Sequence, residues 1–80
     1  DNGVAVGYNL GTLTAKASET IASIFMYDLQ GRLVCGKPFV GRAAISLTIS
    51  CVPGVYMVKI KLGSGGTIVK KIFVSRNLSC

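Results

Sequence analysis

The sequence predicts an all-β fold: a seven-stranded antiparallel Greek-key sandwich, immunoglobulin-like in outline. Three features of the sequence point there. Apolar and β-branched residues alternate with polar ones over segments of five to eight residues. Glycine and proline turn signals separate those segments. No stretch sustains a helical period; Ala15 to Ala22 has some helix formers but is short and rich in Thr and Ser.

The first strand is expected at Val4–Tyr8, with Val4, Val6 and Tyr8 on one face, and Asn9-Leu10-Gly11 turns the chain. The second is Thr12–Lys16, followed by a polar stretch, Ala17-Ser18-Glu19-Thr20. The third, Ile21–Tyr27, is apolar on both faces, with Ile24 and Met26 on one and Phe25 and Tyr27 on the other; that reads as a central strand. Asp28-Leu29-Gln30-Gly31 then places Asp at the first and Gly at the fourth position of a type I turn. The carboxylate can accept backbone N–H bonds there, and Gly takes a positive φ without a Cβ clash. The fourth strand is Arg32–Gly36, and Pro38 and Gly41 mark a loop.

The fifth strand, Ala43–Ile49, alternates Ile45, Leu47 and Ile49 against Ala44, Ser46 and Thr48. Pro53-Gly54 leads into the sixth, Val55–Leu62, with Tyr56, Val58 and Ile60 inward and Val55, Met57, Lys59 and Lys61 outward. Gly63-Ser64-Gly65-Gly66 is a hairpin loop. The seventh, Thr67–Val74, turns Ile68, Ile72 and Val74 inward, with Lys70 snorkelling at the rim. Residues 75–80 read as a tail. Eighty residues make one domain, 1–80, that buries roughly 60% of its unfolded surface. So small a sandwich has a poorly covered edge, which opens a route to a strand-swapped homodimer.

Composition excludes several chemistries. Without histidine there is no Ser-His-Asp triad and no imidazole metal site. The three acids, Asp1, Glu19 and Asp28, are too few for a calcium site. No nucleophile–base pair can be assembled, so an enzyme is not expected, and neither a metal nor a cofactor is implied. No apolar run is long enough for a transmembrane helix. The chain opens on Asp1 without a charged-then-apolar leader, as expected of a processed product or a domain cut from a longer protein.

The net charge is +6, which favours anionic partners such as nucleic acid, lipopolysaccharide or an acidic protein face. The cations are spread along the chain, with local pairs only at Lys59/Lys61 and Lys70/Lys71; they read as a solvated basic surface rather than a nucleic-acid site. Cys35, Cys51 and Cys80 cannot all pair with one another and lack CxxC spacing; a Cys35–Cys51 bridge is open to the chain without special support.

The run Ile24-Phe25-Met26-Tyr27-Asp28-Leu29-Gln30-Gly31-Arg32-Leu33-Val34 resembles a segment of the C-terminal sorting domains of the type IX (Por) secretion system of Bacteroidetes. Pro53-Gly54-Val55-Tyr56-Met57-Val58-Lys59-Ile60 and Lys70-Lys71-Ile72-Phe73-Val74 are similar to two later segments of that family, in the same order. The likeness spans Ile21–Val74 well and the first twenty residues loosely. It departs at Cys51, where the family has leucine, and at the tail after Val74.

The resemblance implies a secretion address at the C-terminus of a fused N-terminal cargo domain. The implied partners are the type IX translocon, an outer-membrane shuttle protein and a surface sortase, which removes the domain and joins cargo to lipopolysaccharide. The implied location is the periplasm in transit, then the cell surface or medium. An immunoglobulin- or fibronectin-like adhesive or accessory module is the alternative.

Asp28 and Gly31 are expected to hold the hairpin, and Gly54 and Tyr56 to set the entry to the sixth strand. Recognition is expected at Lys70, Lys71, Ile72, Phe73 and Val74, on a strand at a sheet edge. Lys70 and Lys71 also read as gatekeepers against edge-to-edge aggregation. Val55, Met57 and Phe73 would form an outward apolar patch beside Lys59, Lys61 and Lys71, unless the register differs and they are core.

Overall fold

The computed structural model describes residues 3–9, 11–49 and 53–74. They form an all-antiparallel, six-stranded sheet that curls into a half-barrel. The strands are β1 (Ala5–Asn9), β2 (Thr12–Asp28), β3 (Leu33–Lys37), β4 (Arg42–Thr48), β5 (Gly54–Leu62) and β6 (Thr67–Val74).

Six strands replace the expected seven because the second and third run together as β2, 17 residues long. The polar stretch Ala17–Thr20 was expected to break the chain, yet it holds neither glycine nor proline and stays extended. What changes there is the partner. The first half of β2 pairs with β1 and β4, and the second half with β3 and β5. β5 then pairs with β6, while β1 approaches β6 without hydrogen-bonding to it.

The change of partner is marked by a change of parity. Leu13, Ala15 and Ile21 are buried on odd positions, whereas Ile24 and Met26 are buried on even ones. The register against β5 slips between Ile21 and Ser23, and one extra residue in β2 accounts for both effects. The β3–β4 connection is fastened at this irregular point. Val40 donates its backbone N–H to the Ala22 carbonyl at 2.9 Å, and Gly41 donates to Ile21 at 3.0 Å.

The core lies inside the curl. Val58 and Ile60 of β5 are fully buried against Ile24 and Met26 of β2, with Leu62, Tyr56, Ile72 and Val74 around them. These are the inward sets that alternation predicts for the last two strands. Val6, Tyr8, Ile45, Leu47 and Ile68 pack on the core while partly exposed. No charged or polar residue is among the buried described residues.

On the outer side, Phe25 of β2 stands opposite Gly36 of β3. A Cβ at Gly36 would strike the Phe25 ring and come within 2.7 Å of the Ile24 carbonyl oxygen. The glycine lets the ring lie over the neighbouring strand.

Candidate functional site

The segment Ile24–Val34 forms the β2–β3 hairpin, with its turn at Asp28–Arg32. The Asp28 carbonyl accepts from Gly31 N–H at 3.0 Å, and the Asp28 N–H donates to the Arg32 carbonyl at 3.0 Å. One carboxylate oxygen, Oδ1, accepts from the backbone N–H groups of Gln30 and Arg32, each at 2.9 Å. The other, Oδ2, accepts from Arg32 Nε at 3.0 Å. Gly31 has φ +84°. This is a type I turn closed by a left-handed glycine, the geometry of a three-residue hairpin loop.

The bond from the Arg32 backbone N–H is the main cause that holds the Asp28 carboxyl below its ordinary value of 3.8; the Arg32 side chain, the Gln30 N–H and the charge of Arg32 add to it, and desolvation opposes. A lowered folded-state pKa means stability that is whole above the unfolded-chain value and is lost as pH falls through the folded one. Asp28→Asn is therefore expected to lower Tm at neutral pH, and the gap to the parent should close in acid. Thermal melts from neutral to acid pH check this, and a gap independent of pH would contradict it. Gly31→Ala meets no atom within 4 Å, so its cost is conformational alone. That cost is about 1–2 kcal/mol, readable as a shift of the denaturation midpoint.

At this same end of the sheet the three motif segments lie side by side. Asp28 pairs with Tyr56, and Tyr56 with Ile72. Tyr27 pairs with Met57, and Met57 with Lys71; Gly54 and Val55 pair with Val74 and Phe73. Of the expected recognition residues, Ile72 and Val74 point into the core, Lys70 is half-buried, and Lys71 and Phe73 are exposed. Val55 and Met57 are half-buried on the outer side with Phe73, whose ring is 71% exposed. Tyr56 is buried, and Gly54 is the first residue of β5. β6 ends the hydrogen-bonded order of the sheet.

Pairing enlarges the outer patch beyond what alternation along one strand can show. Phe25 stands opposite Lys59, which stands opposite Val69; Leu33, Tyr27, Met57 and Lys71 form a second row across four strands. Leu33, Val69 and Phe73 are each more than half exposed. The resulting surface is apolar and aromatic, studded with Lys59, Lys61 and Lys71.

Among the described residues no cluster of three or more His, Cys, Asp or Glu could hold a metal ion. No helix of the described residues is long and apolar enough to cross a membrane. Cys51, Cys80 and the tail from Ser75 lie outside the described residues, and with them the Cys35–Cys51 bridge.

The fold is similar to that of CopC from Methylosinus trichosporium OB3b, a crystal structure. The two superpose with a TM-score of 0.58 at 20% identity, over 98% of this chain and 90% of that one. At that identity the likeness concerns the fold alone. No curated protein matches the chain. A family model described as a domain of unknown function, DUF8694, matches residues 1–74, and the chain therefore belongs to that family.

Proposed function

We propose that this domain is a sorting signal of the type IX kind, a ligand of a secretion machinery rather than a catalyst. It would direct a fused cargo from the periplasm across the outer membrane to the surface or medium. A shuttle protein and the translocon would recognise it, and a surface sortase would remove it. In the same reading the curled sheet is an immunoglobulin-like Greek-key sandwich. The observation that supports it is the convergence of the three family-like segments: Tyr27-Asp28, Gly54–Met57 and Lys71–Val74 occupy adjacent rows at one end of one sheet. The outer side of those rows offers Val55, Met57 and Phe73 beside Lys71 to a partner.

A transport assay tests this. The domain is fused behind a signal peptide and a fluorescent reporter, in a Bacteroidetes strain with and without a working type IX system. Reporter should reach the surface or medium only with the system intact. Deleting Lys70–Val74 should trap it in the periplasm, but that deletion also removes the buried Ile72 and Val74. Phe73→Ser with Lys71→Glu changes only exposed side chains and separates recognition from folding. Export of a folded Phe73→Ser/Lys71→Glu fusion at the parent level would move recognition off this face. Periplasmic retention of the folded parent domain would favour the adhesive or accessory module.

A further inference from the structure

The opposite wing of the half-barrel carries a second surface. On its outer side the strands β1, β2 and β4 set small side chains beside one another. Ala5, Lys16 and Ala44 form one row, and Gly7, Thr14 and Ser46 the next. Small neighbours leave Lys16 standing in a shallow trough of about 970 Å³. The β3–β4 connection, fastened to Ala22 and Ile21 by its two backbone bonds, walls one end and brings Lys37 and Arg42 to the lining.

Three cations from three different strands thus line one concavity, with the Thr14 and Ser46 hydroxyls in the row beyond Lys16, away from Lys37 and Arg42, and no acidic residue is among the described lining. The two described acids are engaged elsewhere: Asp28 with Arg32, and Glu19 as acceptor of the Ser64 N–H at 3.2 Å. We infer that this trough binds a linear anionic glycan, one whose phosphate or sulfate esters meet Lys16, Lys37 and Arg42 and whose hydroxyls meet Thr14 and Ser46. A single oxyanion is far smaller than the trough, which has the size of an oligomeric or drug-sized ligand. Single-stranded nucleic acid is disfavoured because it needs aromatic platforms for its bases, and no aromatic residue is among the described lining.

The test is an NMR titration of the intact chain with a size-defined heparin oligosaccharide. Shifts should centre on Lys16, Thr14, Lys37, Arg42 and Ser46. The affinity should drop about tenfold or more between low and moderately high salt, as contacts between exposed charges are screened. Lys16→Gln, Lys37→Gln and Arg42→Gln together should weaken binding about tenfold or more, whereas Lys59→Gln, Lys61→Gln and Lys71→Gln together, with the same loss of net charge, should change it less than about twofold. All six side chains are exposed, so both triple variants keep the core. Equal loss in the two variants, or shifts spread over every lysine, would reduce the effect to bulk charge and overturn the inference. So would equal affinity for a single-stranded oligonucleotide of matched charge. Binding to vesicles of phosphatidylcholine and phosphatidylglycerol without binding to the oligosaccharide would assign the trough to lipid headgroups and overturn it as well. The trough lies on the wing away from Phe73 and Lys71, so its failure leaves the sorting reading intact, and the reverse holds too.

Discussion

Ile60→Ala is expected to cost about 2–5 kcal/mol, the loss of a large buried side chain plus the cavity it leaves. A domain of this length has only about 4–12 kcal/mol to lose, so the variant should give up a large share of its stability and melt at a much lower urea concentration. Ile60 is 0% exposed and stands between Ile24 of β2 and Ile68 of β6. It therefore joins the long central strand to the terminal hairpin. Ile60→Val, at about 0.5–1.5 kcal/mol, stays folded and permits a full denaturation curve. Val69→Ala, on the exposed side of the same hairpin, should stay within about 0.5 kcal/mol. Urea midpoints of the three variants check the ordering. Equal losses at Ile60 and Val69 would mean that the inward and outward faces of this hairpin are assigned the wrong way round.

Gly36→Ala is expected to cost about 1–3 kcal/mol, although it adds one methyl group to an exposed position. The methyl has nowhere to go: the Phe25 ring lies on one side and the Ile24 carbonyl oxygen, at 2.7 Å, on another. A midpoint shift of about 4–8 °C per kcal/mol makes this easy to measure for a domain of this size. Pairing the change with Phe25→Ala removes the ring but not the carbonyl. The double variant should therefore recover only part of the loss. Full recovery would place the whole conflict in the side chain, and no loss in the single variant would mean that β3 can move away from β2.

The parts of the fold that were legible in the sequence are those whose cause is local. Asp28 and Gly31 supply an acceptor and a positive φ within four residues, so the hairpin can be read without knowing its neighbours. Tyr56, Val58, Ile60, Ile72 and Val74 alternate cleanly, so their inward face is fixed once the strand is. The continuity of β2 was not legible. A polar stretch without glycine or proline looks the same whether it ends a strand or carries it from one set of partners to another.

Surfaces made by pairing were only half visible. The patch of Val55, Met57 and Phe73 belongs to one hairpin and could be drawn from alternation. Phe25, Tyr27 and Leu33 join it through the register of β2 with β3 and β5. The two-sided apolar pattern of Ile21–Tyr27 reads as a central strand, and the segment does pair with both β3 and β5, yet Phe25 and Tyr27 are only half covered. Lys16, Lys37 and Arg42 are far apart in the chain, and only the pairing of β4 and the fastening of the loop to β2 bring them to one trough.

The single strand that belongs to both wings also dictates when the domain can form. β2 is made early in synthesis, yet Ile21 waits for Leu62 and Asp28 for Tyr56, and β5 in turn waits for β6. The buried residues of both wings belong to one core cluster, so neither wing completes its core without the other. Such distant pairings are slow to find, because the loop between them must be closed before any contact repays it. A chain that emerges N-terminal end first would remain pliable until β6 has emerged, and would then fold in one cooperative step.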